Sequence, residues 1–129
     1  MAEKGTGAIK AILIIFGLIF LIYWGLMLIF VHPSMTALYG AKFPAEPVYA
    51  RTIGMLCVVM GLLLLFASRD PVKNILVINI LIIHNILFII FYLVGLLLIK
   101  EMVGFVWWLN LIITFIFLIL LLLFRPKKA

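Results

Sequence analysis

Tyr23, Cys57, Asn79, His84, Asn85, Asn110 and Thr114 stand inside long apolar runs of this sequence. A polar group placed in hydrocarbon must find a partner or serve a purpose, because an unsatisfied one is costly there. His84 is the one among them that can titrate near neutral pH. It could relay a proton, ligate a metal or haem, or bind a polar headgroup. It could equally be a neutral histidine bonded to Asn110, Thr114 or a backbone carbonyl. No carboxylate or second histidine lies at its depth. His32 sits at the far end of the first run, too distant for a bis-histidine site within one chain. At a helical rise of ~1.5 Å per residue, His84, Cys57 and Thr114 fall at similar depth, with Tyr23 and Asn110 slightly further out. Asn110 and Thr114 are one helical turn apart. A midplane polar cluster of His84, Asn85, Asn110 and Thr114 is therefore expected.

A second set lies nearer one boundary. Tyr23, Trp24, Tyr92, Trp107 and Trp108 share an outer layer with Arg51. Trp and Tyr favour the headgroup zone, so an aromatic belt is one reading. The other is an outward-facing pocket for a lipid, quinone or other amphiphile, with Arg51 holding an anionic group. Arg51 could also snorkel, or pair with Glu46 or Glu101.

Catalytic sets are missing. Glu3, Glu46, Asp70 and Glu101 all sit at helix ends or in the leading tail, and no lysine lies in the interior of a span. There is no Ser-His-Asp arrangement, Gly-rich phosphate loop or multi-ligand metal pattern. Neither enzymatic activity, a metal site nor a cofactor is expected, a bound lipid or quinone aside. Cys57 is the single cysteine, which excludes an intrachain disulfide and a CxxC site.

The elements that must carry these residues follow from composition. Of 129 residues, 69% are hydrophobic and 11% charged, against roughly 25% charged in soluble domains. A water-soluble globule of this size could not bury so much apolar surface. Four apolar runs, at about 11–31, 47–68, 71–99 and 102–124, each suit an α-helix crossing a bilayer. They lack the alternation of membrane strands. The first run exceeds a secretory signal core and lacks a small-residue cleavage motif, so it reads as a retained helix. The expected fold is all-α: one transmembrane domain over 1–129, an up-down-up-down four-helix bundle. Ten Lys/Arg against four Asp/Glu give a formal charge of +6. The basic residues cluster at span ends and form no stripe for nucleic acid. Lys4, Lys10, Arg69, Lys73, Arg125, Lys127 and Lys128 fall on one side, Lys42, Arg51 and Lys100 on the other. That asymmetry places both termini in the cytoplasm of a multi-pass protein of the cell membrane.

Pro33, Pro44 and Pro47 mark the first connection, and Pro47 suits the first turn of the second helix. Asp70 is a natural N-cap and Pro71 a natural first helical residue, so a very short link makes helices two and three antiparallel neighbours. Helix two carries a stripe of small residues, Ala50, Gly54, Gly61 and Ser68. Such stripes admit close helix approach, either within the chain or at an oligomer seam.

The segments Ala50-Arg51-Thr52-Ile53-Gly54, Gly61-Leu62 and Ala67-Ser68-Arg69-Asp70-Pro71 resemble small prokaryotic four-span proteins of the DoxX-like kind, over about a fifth of the chain. The resemblance implies a four-helix bundle and an accessory role, since some such proteins accompany membrane oxidoreductases as subunits. It carries over no catalytic residues. The leading expectation is a small non-catalytic subunit packing in a larger membrane complex or with itself, its partners being membrane lipids and other membrane subunits. An amphiphile-binding or transport module is the alternative, and proton or metal handling through His84 a second.

Overall fold

The structure, a computed structural model, describes residues 6–31, 48–100 and 104–127. His32, Lys42, Glu46, Pro47 and Glu101 lie outside the described residues, and with them the expected first turn of helix two and the expected ion pairs of Arg51. Four helices are long and apolar enough to cross a membrane: α1 (Gly7–Ile29), α2 (Val48–Ala67), α3 (Ile75–Leu98) and α4 (Phe105–Phe124). No strand occurs among the described residues. In lipid the backbone must satisfy its own hydrogen bonds, which a helix does within its own segment, between residues four apart. The outward faces stay apolar, with Leu97 74% and Leu98 78% exposed, a surface suited to lipid and not to water. The chain is thus all-helical and has the form of a multi-pass membrane protein.

The core gathers at the end of the molecule where α1 and α3 begin and α2 and α4 finish. Ile9, Leu13 and Phe16 of α1 meet Leu64 and Ala67 of α2, Ile78 and Leu81 of α3, and Phe117 and Leu121 of α4. Lys10, Arg69, Lys73, Arg125 and Lys127 flank this end. The contacts run antiparallel between α1 and α2, and between α1 and α4.

Glycines on both helices bring α1 and α2 together. A Cβ added at Gly61 would sit 2.7 Å from the Gly17 carbonyl oxygen, and one at Gly54 2.8 Å from that of Gly25. Backbone meets backbone at both levels. The small-residue stripe thus packs within the chain; Ala50 is half-buried and Ser68 is buried at the end of α2.

The two helices space their glycines differently. Gly54 and Gly61 are seven residues apart, which in an α-helix falls ~20° short of two full turns. Gly17 and Gly25 are eight apart, which in an α-helix would overshoot by ~80°. Between them α1 widens into a π-helix over Ile19–Leu26. The wider turn takes up the extra residue and returns Gly25 to the face of Gly17. Gly25 itself permits it, since a Cβ there would lie 2.8 Å from the Phe20 carbonyl oxygen of the same helix.

The link between α2 and α3 is clasped locally. The Lys73 N–H donates to Asp70 Oδ1 at 3.1 Å, and the Asn74 side-chain amide to the Asp70 carbonyl at 2.9 Å. Asp70 therefore caps a turn at 71–74, and the regular helix begins at Ile75 and not at Pro71. The same carbonyl also accepts the Asn74 backbone N–H at 3.1 Å, so Asn74 closes the turn with both its main chain and its side chain.

The expectation that α2 and α3 pack as neighbours needs correction. They touch only slightly; α3 packs on α4, and α1 packs on α2 and α4. The small residues of α2 face α1. Toward α3 it presents Ile53, Leu56, Met60 and Leu63, opposed by Leu87, Phe88 and Phe91, and a cleft of about 800 Å³ separates them.

Gly61→Ala and Gly54→Ala should each destabilise the protein by about 1–3 kcal/mol through overpacking. Gly7→Ala, with nothing within 4 Å of the added Cβ, should be neutral or slightly stabilising. Thermal unfolding in mild detergent checks all three.

Candidate functional site

Two aromatic stripes meet inside the bundle. On α1, Phe16, Phe20 and Trp24 recur every fourth residue; on α3, His84, Phe88 and Tyr92 do the same. Four residues drift ~40° in an α-helix, so successive rings of each stripe stay near one face. Phe16 and Phe20 have ring centroids 4.9 Å apart, and Phe20 and Trp24 4.8 Å, edge-on. The Phe20 ring lies 5.4 Å from that of His84, which stacks on Phe88 at 4.3 Å. Phe16 stacks on Phe117 of α4 at 4.1 Å, and Tyr92 meets Trp107 edge-on at 5.2 Å. A continuous run of rings thus crosses the interior, with His84 in its middle.

Between these stripes is a cavity of about 160 Å³, lined by Phe20, Trp24, Leu28, Ile53, Cys57, His84, Asn85, Phe88, Tyr92, Asn110 and Thr114. It shares Phe20, Ile53, Cys57, His84 and Phe88 with the cleft between α2 and α3. The interior cavity and the lipid-facing cleft are therefore adjoining spaces with a common wall.

The polar groups around the cavity divide sharply. Asn110 is well satisfied: its Oδ1 accepts the Trp24 indole N–H at 3.0 Å, and its carbonyl accepts the Thr114 hydroxyl at 2.7 Å. Asn85 is wholly buried, and its Oδ1 lies 3.4 Å from His84 Nδ1. Its amide nitrogen Nδ2 is buried without a partner. The His84 partner is accordingly Asn85, and neither Asn110 nor Thr114. Among the described residues no three His, Cys, Asp or Glu side chains come together.

His84, Asn85, Asn110 and Thr114, expected as a midplane cluster, all line this one cavity. Trp24 and Tyr92, placed by sequence in the outer set, line it too. Tyr23, Arg51, Trp107 and Trp108 border neither the cavity nor the cleft. The Trp107 indole donates to the Tyr92 carbonyl at 3.2 Å, and its ring fills the place where a Cβ on Gly95 would be. That locks α4 to α3. Trp108 is exposed, and the Tyr23 hydroxyl is buried without a partner. Phe20, Phe88 and Cys57 also line the cavity. The fourfold spacing of the aromatic residues was the signal for the first two; the position of Cys57 depends on which face of α2 turns toward the cleft.

No family model, curated protein or solved structure matches the chain.

Trp24→Phe keeps the ring but strips Asn110 Oδ1 of its donor, and should cost about 1–3 kcal/mol of stability. Adding Asn110→Leu removes the orphaned acceptor and should recover part of that loss. A double-mutant cycle by detergent-phase unfolding measures both.

Proposed function

We propose that the protein is a bilayer-embedded binding module for an amphiphile, which enters sideways through the cleft between α2 and α3. The polar end of the ligand occupies the cavity beside Asn85 and His84, and its apolar remainder lies in the cleft. The observation that carries this reading is the Asn85 amide, fully buried beside a cavity with no partner of its own. An unmet donor in hydrocarbon surroundings is expensive, and a ligand that accepts from it offsets the cost. A small polar patch among aromatic walls is also how sites for such ligands orient them. The expected pocket around Arg51, Trp107 and Trp108 is replaced by this deeper one.

The accessory-subunit reading has less behind it. Gly54 and Gly61, the centre of the small-residue stripe that would have served as an oligomer seam, are taken up by α1. The implied role by DoxX-like resemblance rests on the same region of α2.

Orientation belongs to the same proposal. Lys10, Arg69, Lys73, Arg125 and Lys127 gather at one end of the helices, which we assign to the cytoplasmic leaflet of a prokaryotic inner membrane. Reporter fusions after Ala129 and near Lys42 should then report opposite sides.

Leu63 lines the cleft and is 43% exposed, so a larger side chain there should obstruct the cleft without disturbing the core. Leu63→Trp should keep its thermal stability yet lose the amphiphile that the wild-type protein retains through extraction, as read by native mass spectrometry. Equal retention by both proteins would refute entry through the cleft.

A further inference from the structure

We infer that a groove at the end of the bundle where α3 begins and α4 finishes binds the head of an anionic glycerophospholipid. Its phosphodiester meets Arg125 and Lys127, and its ester carbonyls meet Asn79. The groove is separate from the cavity and the cleft described above and shares no lining residue with either.

One local event in the sequence makes the groove. Arg125 precedes Pro126, and a proline disfavours helical geometry in the residue before it. The helix accordingly ends at Phe124, and Arg125 takes φ −54° and ψ 127°. The tail leaves the helix axis at that point. Arg125 and Lys127 then line a groove of about 660 Å³ together with Leu76 and Asn79 of α3 and Leu122 and Leu123 of α4.

The cations at this end are answered unequally. Asp70 is the one acid among the described residues, and it pairs with Lys73 at 3.6 Å. Arg69 lies over the Phe66 ring, 5.1 Å from its centre. Arg125 and Lys127 are exposed, and among the described residues their side chains make no ion pair, hydrogen bond or ring contact. No acid lines the groove. A phosphodiester supplies the opposing charge, and a guanidinium can hold two of its oxygens in a fork. Basic pockets between helices at headgroup depth take anionic heads for this reason. A zwitterionic head would bring a second cation that nothing in the groove opposes.

Depth accounts for the amide. Asn79 stands one helical turn beyond Ile75, the first residue of α3, which at ~1.5 Å per residue is ~6 Å further into the bilayer. It is half-buried, and among the described residues its side chain makes no hydrogen bond. In a glycerophospholipid the ester carbonyls hang a few bonds below the phosphate, and an amide N–H at that level donates to them. The leucines give the groove an apolar wall for the start of the acyl chains.

The test places the full-length protein in nanodiscs of equal parts palmitoyl-oleoyl phosphatidylglycerol and phosphatidylcholine. Lipid that stays bound after release is counted by native mass spectrometry. The wild type should retain phosphatidylglycerol about tenfold over phosphatidylcholine, and Arg125→Gln with Lys127→Gln should bring that ratio close to one. Arg69→Gln with Lys73→Gln removes as much charge from the same end outside the groove, and should leave the ratio near the wild-type value. All four residues are exposed, so both proteins should remain folded by thermal unfolding. The ester lipid should be retained about threefold better than its diether analogue, a difference that Asn79→Leu should remove. Equal retention of the two lipid classes by the wild type, or equal loss of preference in both double variants, would overturn the groove assignment. Displacement of the phosphatidylglycerol by an equal concentration of inorganic phosphate would make the occupant a soluble anion and overturn the lipid. Equal retention of ester and diether would overturn the role of Asn79. Leu63→Trp should change none of these ratios; loss of the preference in that variant would move the lipid to the α2–α3 cleft and overturn the present site alone.

Discussion

The rest of the structure depends on how closely α1 and α2 approach. No hydrophobic force draws helices together in lipid, so close packing of backbone against backbone has to supply the association. Gly17 against Gly61 and Gly25 against Gly54 provide it at two levels. With α1 committed to α2 on one side and to α4 on another, α3 is left to pack on α4. The cleft between α2 and α3 is what remains when the short link holds those two helices at one end and nothing small lies between them along their length. Bulky side chains on both walls keep it open.

Inside that frame the polar residues play two parts. The Trp24 indole bonds the Asn110 side chain across α1 and α4, which fixes the relative height of the two helices, and the Thr114 hydroxyl bonds the Asn110 carbonyl within α4. Each bond contributes only about 0.5–1.5 kcal/mol, yet together they leave no orphaned group among these three side chains. Asn85 and His84 form a pair that is only half complete. The contrast between a finished network and an unfinished one on the same cavity gives the functional reading its direction, since a merely structural histidine would be expected to sit in the finished network.

Much of this architecture can be read from the sequence. Run length and charge placement indicate four helices and their order, and depth counting brings Cys57, His84 and Thr114 to one level. The small residues of α2 mark a packing face. What the sequence leaves open is rotation about each helix axis. Nearly every residue of these spans is apolar, so there is no polar face to show which side turns outward, and amphipathic patterning carries little information. That is why depth alone groups Trp24 and Tyr92 with the boundary aromatics although they line the inner cavity, and why a short link alone suggests more contact between α2 and α3 than they make. The π-helix also goes unannounced, because it arises from matching two glycine spacings on different helices. Neither spacing is unusual alone.

The mismatch between eight residues on α1 and seven on α2 has a consequence for how this chain could vary. Removing one residue between Gly17 and Gly25 would make the spacings equal, and ordinary α geometry would then keep both glycines against α2. The scaffold would survive the deletion. Were the lost residue one of those between Phe20 and Trp24, these rings would stand three residues apart, and the edge-on contact they now make at 4.8 Å would have to be remade. The fit of the α1 glycines to α2 and the register of the α1 rings along the cavity wall are therefore set by the same residue count.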